Sequence, residues 1–118
     1  MTDTSTKDTE INQRRHIRKR LSCTANVFQT QSGLSVGRIF DISQEGFMLL
    51  GPTQMQPNEV INLTLELPEL DSTRSIELAA ECMWCQPSNF TRDFGAGFHI
   101  KTISDQDQVA LNYFIRDF

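Results

Sequence analysis

The sequence predicts a mainly β fold, an antiparallel barrel or sandwich of short strands closed by one carboxy-terminal helix. Apolar residues recur at a period of two in several runs between residues 21 and 100. Turn-forming residues separate the runs, and the spacing becomes helical only after Ser104.

The first run sets Leu21, Cys23, Ala25 and Val27 on one side and Ser22, Thr24 and Asn26 on the other, the pattern of a half-buried strand. "TQSG" ending at Gly33 turns the chain, and "LSVGRIFDIS" forms a second strand running into a tight turn at Gly46. "FMLL" is a short apolar strand stopped by Gly51 and Pro52. Ile61, Leu63, Leu65 and Leu67 mark the next, which Pro68 and "ELDSTRS" reverse. Then Ile76, Leu78, Ala80, Cys82 and Trp84 are expected inward, with Glu77, Ala79, Glu81 and Met83 outward. "GAGFHIK" alternates Ala96, Phe98 and Ile100, leaving His99 outward. "SDQD" from Ser104 has the form of a capping box, a Ser oxygen for an orphan amide with an acid three residues on. Leu111, Phe114, Ile115 and Phe118 then recur at helical spacing.

A chain of 118 residues has room for one domain with a core of its own, and 38% hydrophobic residues with eight Phe supply it. No apolar run approaches the roughly 20 residues of a membrane span, and the polar amino terminus lacks the apolar stretch of a signal peptide. A cytoplasmic protein is expected. Residues 1–12 are rich in Thr, Asp and Ser and read as a flexible polar tail before a domain over 13–118. Cys23, Cys82 and Cys85 are an odd number and too few for a disulfide framework, which suits a reducing compartment.

Charge is unevenly placed. The chain carries 11 Lys and Arg against 15 Asp and Glu, and five of those cations fall at Arg14, Arg15, Arg18, Lys19 and Arg20. Without them the remainder sets 6 cations against 15 carboxylates. A protein that coats DNA or RNA spreads cations along a face, because each phosphate needs one nearby. One compact cluster suits a small anion better.

"CMWC" from Cys82 to Cys85 is the strongest rival signal. A redox CxxC sits at a helix amino terminus, where the dipole favours a thiolate. Here it falls within an alternating strand ending near Pro87, which sets the two cysteines on opposite faces. Zinc needs four ligands, and Cys23, His16 and His99 have no metal-like spacing, so no metal site or cofactor is expected. Cys23 and Cys82 read as small core residues. Neither His has a nucleophile or acid arranged around it, so the chain reads as a binding module and not an enzyme.

"RRHIR" fits an RxxxR signature through Arg14 and Arg18, and "DISQEG" fits a (D/N)xSxxG signature through Asp41, Ser43 and Gly46. In this order, one strand and a turn apart, the pair resembles the two signatures of PilZ domains. "RKRLSCTANV", "AAECMW" and "GFHIKTIS" are similar to the corresponding stretches of that family, so the resemblance runs from about residue 13 to the end. It implies a six-stranded antiparallel β-barrel with a carboxy-terminal α-helix and, for many members, binding of the bacterial second messenger cyclic di-GMP. The ligand-binding residues it implies are Arg14, Arg15, Arg18, Asp41, Ser43 and Gly46. Arg15 and Lys19 share the RxxxR spacing, although a strand beginning at Leu21 favours Arg14 and Arg18. Gln13 stands where a third Arg is common in the family, a position bearing on whether one ligand or an intercalated pair binds.

The ligand's chemistry matches these residue types. Its two phosphates are anionic, and its guanines present O6 and N7 acceptors that a planar guanidinium donates to bidentately. Asp41 is the acceptor for guanine N1–H and N2–H, and Ser43 offers a hydroxyl. Gly46 is expected to supply positive φ and a close backbone approach. As neighbours two apart on a strand, Asp41 and Ser43 are expected to share a face. Repulsion within the basic lead-in keeps it open until the ligand's negative charge draws it onto the barrel, making a surface for an unidentified downstream protein. The family's typical outputs are motility, adhesion or biofilm control. The alternative is a PilZ-like interaction module that binds no nucleotide. A monomer or weak dimer is expected.

Overall fold

The computed structural model describes residues 19–89 and 91–118. The polar tail over residues 1–12 and the candidates Arg14, Arg15, His16 and Arg18 lie outside the described residues.

The elements are β1 (Lys19–Arg20), β2 (Asn26–Gln29), β3 (Ser35–Ile42), β4 (Gly46–Gly51), β5 (Val60–Pro68), β6 (Thr73–Pro87), β7 (Phe94–Ile103) and α1 (Asp105–Asp117). Six strands close a barrel in the order β3, β2, β5, β6, β7, β4 and back to β3, every pairing antiparallel. The β3–β4 ladder decides for a barrel over a sandwich, because it leaves no gap in the ring. The two-residue β1 continues along β3, with Lys19 opposite Ile42 and Arg20 opposite Asp41, while β2 covers the other part of β3.

The first strand is therefore not continuous from Leu21. Residues 21–25 leave the ladder, though the Leu21 N–H still donates to the Phe40 carbonyl at 3.3 Å. Their alternation survives, with Ala25 and Val27 fully buried and Leu21 and Cys23 against the core's edge.

Phe47 and Phe98 stack at 5.5 Å inside the barrel, surrounded by Leu49, Leu63, Leu65, Ile76 and Ile42. Burying a side chain of that size contributes about 1.5–3 kcal/mol. Helix α1 buries Leu111 and Phe114 against this core. Ser104 caps it by accepting from the Asp107 N–H at 3.1 Å. The Asp107 carboxylate accepts instead from the Glu77 N–H at 3.0 Å, so the acid of the expected box ties the helix to β6.

One break in register redirects two sequence expectations. Along the β6–β7 ladder, Cys82 opposes Phe98 but Trp84 opposes Gly97, so Met83 is an extra residue. Such a bulge reverses the alternation beyond it. Trp84 is accordingly outside, 39% exposed, and not in the core. Cys85 opposes Ala96 and packs on the core side with Cys82, so the two cysteines share a face.

Candidate functional site

The DISQEG segment forms the β3–β4 turn. The Ser43 N–H donates to the Gly46 carbonyl at 2.8 Å, and its hydroxyl donates to the same oxygen at 3.3 Å while accepting from the Glu45 N–H at 3.3 Å. Ser43 is 3% exposed. Strand β3 ends at Ile42, so Ser43 lies in the turn and strand alternation does not place it beside Asp41 on an outer face. The Ile100 N–H donates to the Glu45 carbonyl at 2.7 Å, pinning the turn to β7.

Gly46 is required for a reason other than the expected one. Its φ is not positive; among the described glycines only Gly33 and Gly37 are. A Cβ at Gly46 would instead run into the Phe98 backbone carbonyl, so the close approach alone demands glycine.

The registers align a row of residues across the outer surface beside this turn. Arg20 opposes Asp41, Asp41 opposes Met48, Met48 opposes Gly97, and Gly97 opposes Trp84. Four strand spacings of about 4.8 Å make this row roughly 19 Å long. It begins at a cation, passes a carboxylate and ends on an indole. The depression at the indole end has a volume of about 260 Å³ and is lined by Glu45, Gly46, Met83, Trp84, Gly97 and His99.

Trp84 lies where a side chain on β7 would otherwise stand. A Cβ at Gly97 would collide with the indole Nε1, and one at Gly95 would sit 3.5 Å from its Cζ3. The ring thus covers two alternate glycines of β7, with Met48 reaching the same spot. Trp84 is the single tryptophan, so its emission reports this site alone. Gly97→Val therefore shifts the emission to the red as the ring is pushed into water, while the fold loses only about 1–2 kcal/mol because a surface ring can swing aside. An unchanged spectrum would place the indole elsewhere.

The lead-in is partly docked already. The Arg20 guanidinium lies 4.5 Å from the centroid of the Phe40 ring, a cation–π contact. The Lys19 ammonium donates to the Ile115 carbonyl at 3.0 Å and the Arg116 carbonyl at 3.4 Å, at the end of α1 where unpaired carbonyls gather negative charge. These contacts correct the expectation of a lead-in held open as far as Arg20: its last two residues have partners that offset the repulsion.

The CxxC pair lies within β6 and not at a helix amino terminus. Burial pushes the Cys82 thiol up, and the neighbouring Cys85 adds to this, so it stays protonated at neutral pH. Its Sγ donates to the Trp84 carbonyl at 3.4 Å, and Cys85 Sγ accepts from the Met55 N–H at 3.3 Å. The first contact spans the bulge, and the second ties the β4–β5 connection to β6. Among the described residues no group of three His, Cys, Asp or Glu is placed to hold a metal ion.

The PilZ domain profile matches residues 12–117. The chain belongs to the PilZ domain family. No curated protein matches it. Among solved structures, the PilZ barrel resembles the Bacillus subtilis inhibitor of motility MotI/DgrA, with TM-score 0.70 and 22% identity over 86% of this chain and 49% of that one. Escherichia coli YcgR in complex with c-di-GMP matches with TM-score 0.65 and 12% identity, over 86% and 44%. The K. pneumonia MrkH–c-di-GMP complex matches with TM-score 0.63 and 19% identity, over 87% and 51%. The chain thus spans about half the length of each.

Of the signature residues in the described PilZ barrel, Asp41 lies on the outer row and Ser43 and Gly46 build the turn beside it. The alternation of the sequence sets Trp84 inward, although an aromatic there can also stack on a base, and the structure places it outside. Its signal was present in "GAG", because two alternate glycines leave a strand face bare for a neighbouring aromatic to cover. Among the described residues no helix is long and apolar enough to cross a membrane.

Proposed function

We propose that this PilZ domain, over residues 13–118, is a receptor for cyclic di-GMP that acts by binding alone, without catalysis. The row from Arg20 through Asp41 to Trp84 carries this reading, since it sets a hydrogen-bond acceptor for guanine between the incoming basic lead-in and an aromatic face. YcgR and MrkH, which share the fold, were solved with c-di-GMP.

In this reading Arg14, Arg15 and Arg18 donate to the phosphates and to guanine O6 and N7. Asp41 accepts from guanine N1–H and N2–H. Ser43 and Gly46 act through the turn, because the hydroxyl is already committed within it. Trp84 offers its open face for stacking, which is worth about 1–3 kcal/mol per base. The cytoplasm is the assigned compartment, consistent with three free thiols.

The signal is the ordering of the lead-in ahead of Lys19. Each residue fixed costs roughly 1–2 kcal/mol, offset by pairing the arginines with two phosphates. Lys19 stands between that segment and the end of α1, so ordering one bears on the other.

Titration calorimetry is the test. Heat appears with cyclic di-GMP and not with GTP or cyclic GMP, accompanied by a change in Trp84 emission. Trypsin cuts rapidly after Arg14, Arg15 and Arg18 in the free protein and slowly with saturating dinucleotide. The absence of heat would favour the PilZ-like interaction module, and equal cleavage with bound ligand would rule out the switch.

A further inference from the structure

Helix α1 and the β5–β6 hairpin enclose a groove of about 710 Å³ that shares no lining residue with the Asp41 row. Its floor is apolar, including Leu67, Pro68, Ala110, Phe114 and Phe118. Leu70, Val109 and Tyr113 stand on its margins at 93%, 53% and 54% exposure, large apolar groups that water meets directly.

The border has a sign. Asp105, Val109, Tyr113 and Asp117 follow at intervals of four on α1, so one stripe carries an apolar middle with a carboxylate at each end. Glu69 and Asp71 add negative charge from the hairpin. Three cations lie nearby among the described residues, one fewer than these four carboxylates: Arg74 Nε lies 2.7 Å from Glu69, Arg116 Nε lies 3.2 Å from Asp117, and Lys19 is held by the last carbonyls of α1. The net border is acidic.

We infer that this groove docks an amphipathic helix of a partner protein, apolar along its middle and basic at both ends. Every barrel strand already pairs on both sides, which removes strand addition as the mode and leaves helix-in-groove recognition. Anionic lipid and nucleic acid are repelled by the carboxylates, and a second copy related by twofold symmetry would set acidic border against acidic border. Lys19 donates to the carbonyls of Ile115 and Arg116, on the turn that presents Phe114, Asp117 and Phe118 to the groove. Docking is therefore coupled to the lead-in; that coupling, and only it, rests on the receptor reading.

The test uses the full chain and a fluorescein-labelled synthetic helical peptide with Leu at i, i+3, i+4 and i+7 and Lys at both ends. Anisotropy at physiological salt, without nucleotide, shows saturable binding. The same peptide with Glu ends binds at least tenfold more weakly. Val109→Glu weakens the Lys-ended peptide at least tenfold although it adds negative charge, while Val60→Glu, an exposed valine at the far end of β5, leaves it unchanged. Equal affinity for both peptides, or wild-type affinity in Val109→Glu, overturns the proposal. So does a dimer in sedimentation that Val109→Glu splits, since the groove would then belong to a second copy. Saturating cyclic di-GMP changes the peptide's affinity at least threefold. An unchanged affinity in protein that calorimetry shows to be saturated overturns the coupling, whereas absent calorimetric heat fails the receptor reading and leaves the peptide comparison to decide docking by itself.

Discussion

Arg14→Ala and Arg18→Ala each weaken cyclic di-GMP binding by about 30-fold or more and leave the thermal melt where it was. Truncating one partner of a charge-assisted contact costs on the order of 2 kcal/mol or more, and about 1.4 kcal/mol is a factor of ten. Both positions precede β1, where the described barrel begins, and the core starts only at residues such as Ala25 and Val27. The pair Arg15→Ala and Lys19→Ala separates the two possible registers of the signature. Lys19→Ala loosens the end of α1 through the Ile115 and Arg116 carbonyls, so its effect appears in the melt. Calorimetry and circular dichroism on the four variants are sufficient. Wild-type affinity in both Arg14→Ala and Arg18→Ala would move the site elsewhere.

Gly46→Val lowers stability by about 3 kcal/mol, a drop of roughly 10 °C in melting temperature for a domain of this size. The added Cβ meets the Phe98 carbonyl, and that carbonyl belongs to β7, paired on both sides in the closed barrel. Backbone so held cannot step back as a side-chain tip can. Gly46→Ala costs almost as much, because the first carbon makes the collision. The same change also weakens cyclic di-GMP binding, since Gly46 closes the turn through the Ser43 N–H and hydroxyl. A Gly46→Ala protein that melts like wild type would show that β7 yields here after all.

Much of this fold is written locally. Leu63, Leu65 and Leu67 alternate because one face of β5 is wet and the other dry, and period-two patterning records that without knowledge of any partner strand. Ser104 and the spacing of Leu111 and Phe114 mark the helix in the same way. The site is legible to the extent that chemistry is local: Asp41, Ser43 and Gly46 fall within six residues, and the basic cluster lies within seven.

Other features depend on residues far apart in the chain. Alternation places Trp84 in the core, and only the extra residue at Met83, which is defined by the pairing of Trp84 with Gly97, turns it out onto the outer row. Alternation likewise separates Cys82 from Cys85, and the same bulge reunites them. A glycine in a turn suggests positive φ, but the constraint on Gly46 comes from Phe98, more than fifty positions away. Lys19 reads as one more cation of a cluster until α1 folds back to offer its last carbonyls.

By itself the sequence determined which residues are apolar, at what period they recur and where the chain must turn, and hence the strands, the helix and the two signatures. Tertiary structure alone decided the closure of β3 on β4, the register that lines up Arg20, Asp41, Met48, Gly97 and Trp84, and the acidic apolar groove beside α1. The physical reason is that burial patterns are a property of each segment with water, whereas register, bulges and backbone contacts are set by the fit between segments.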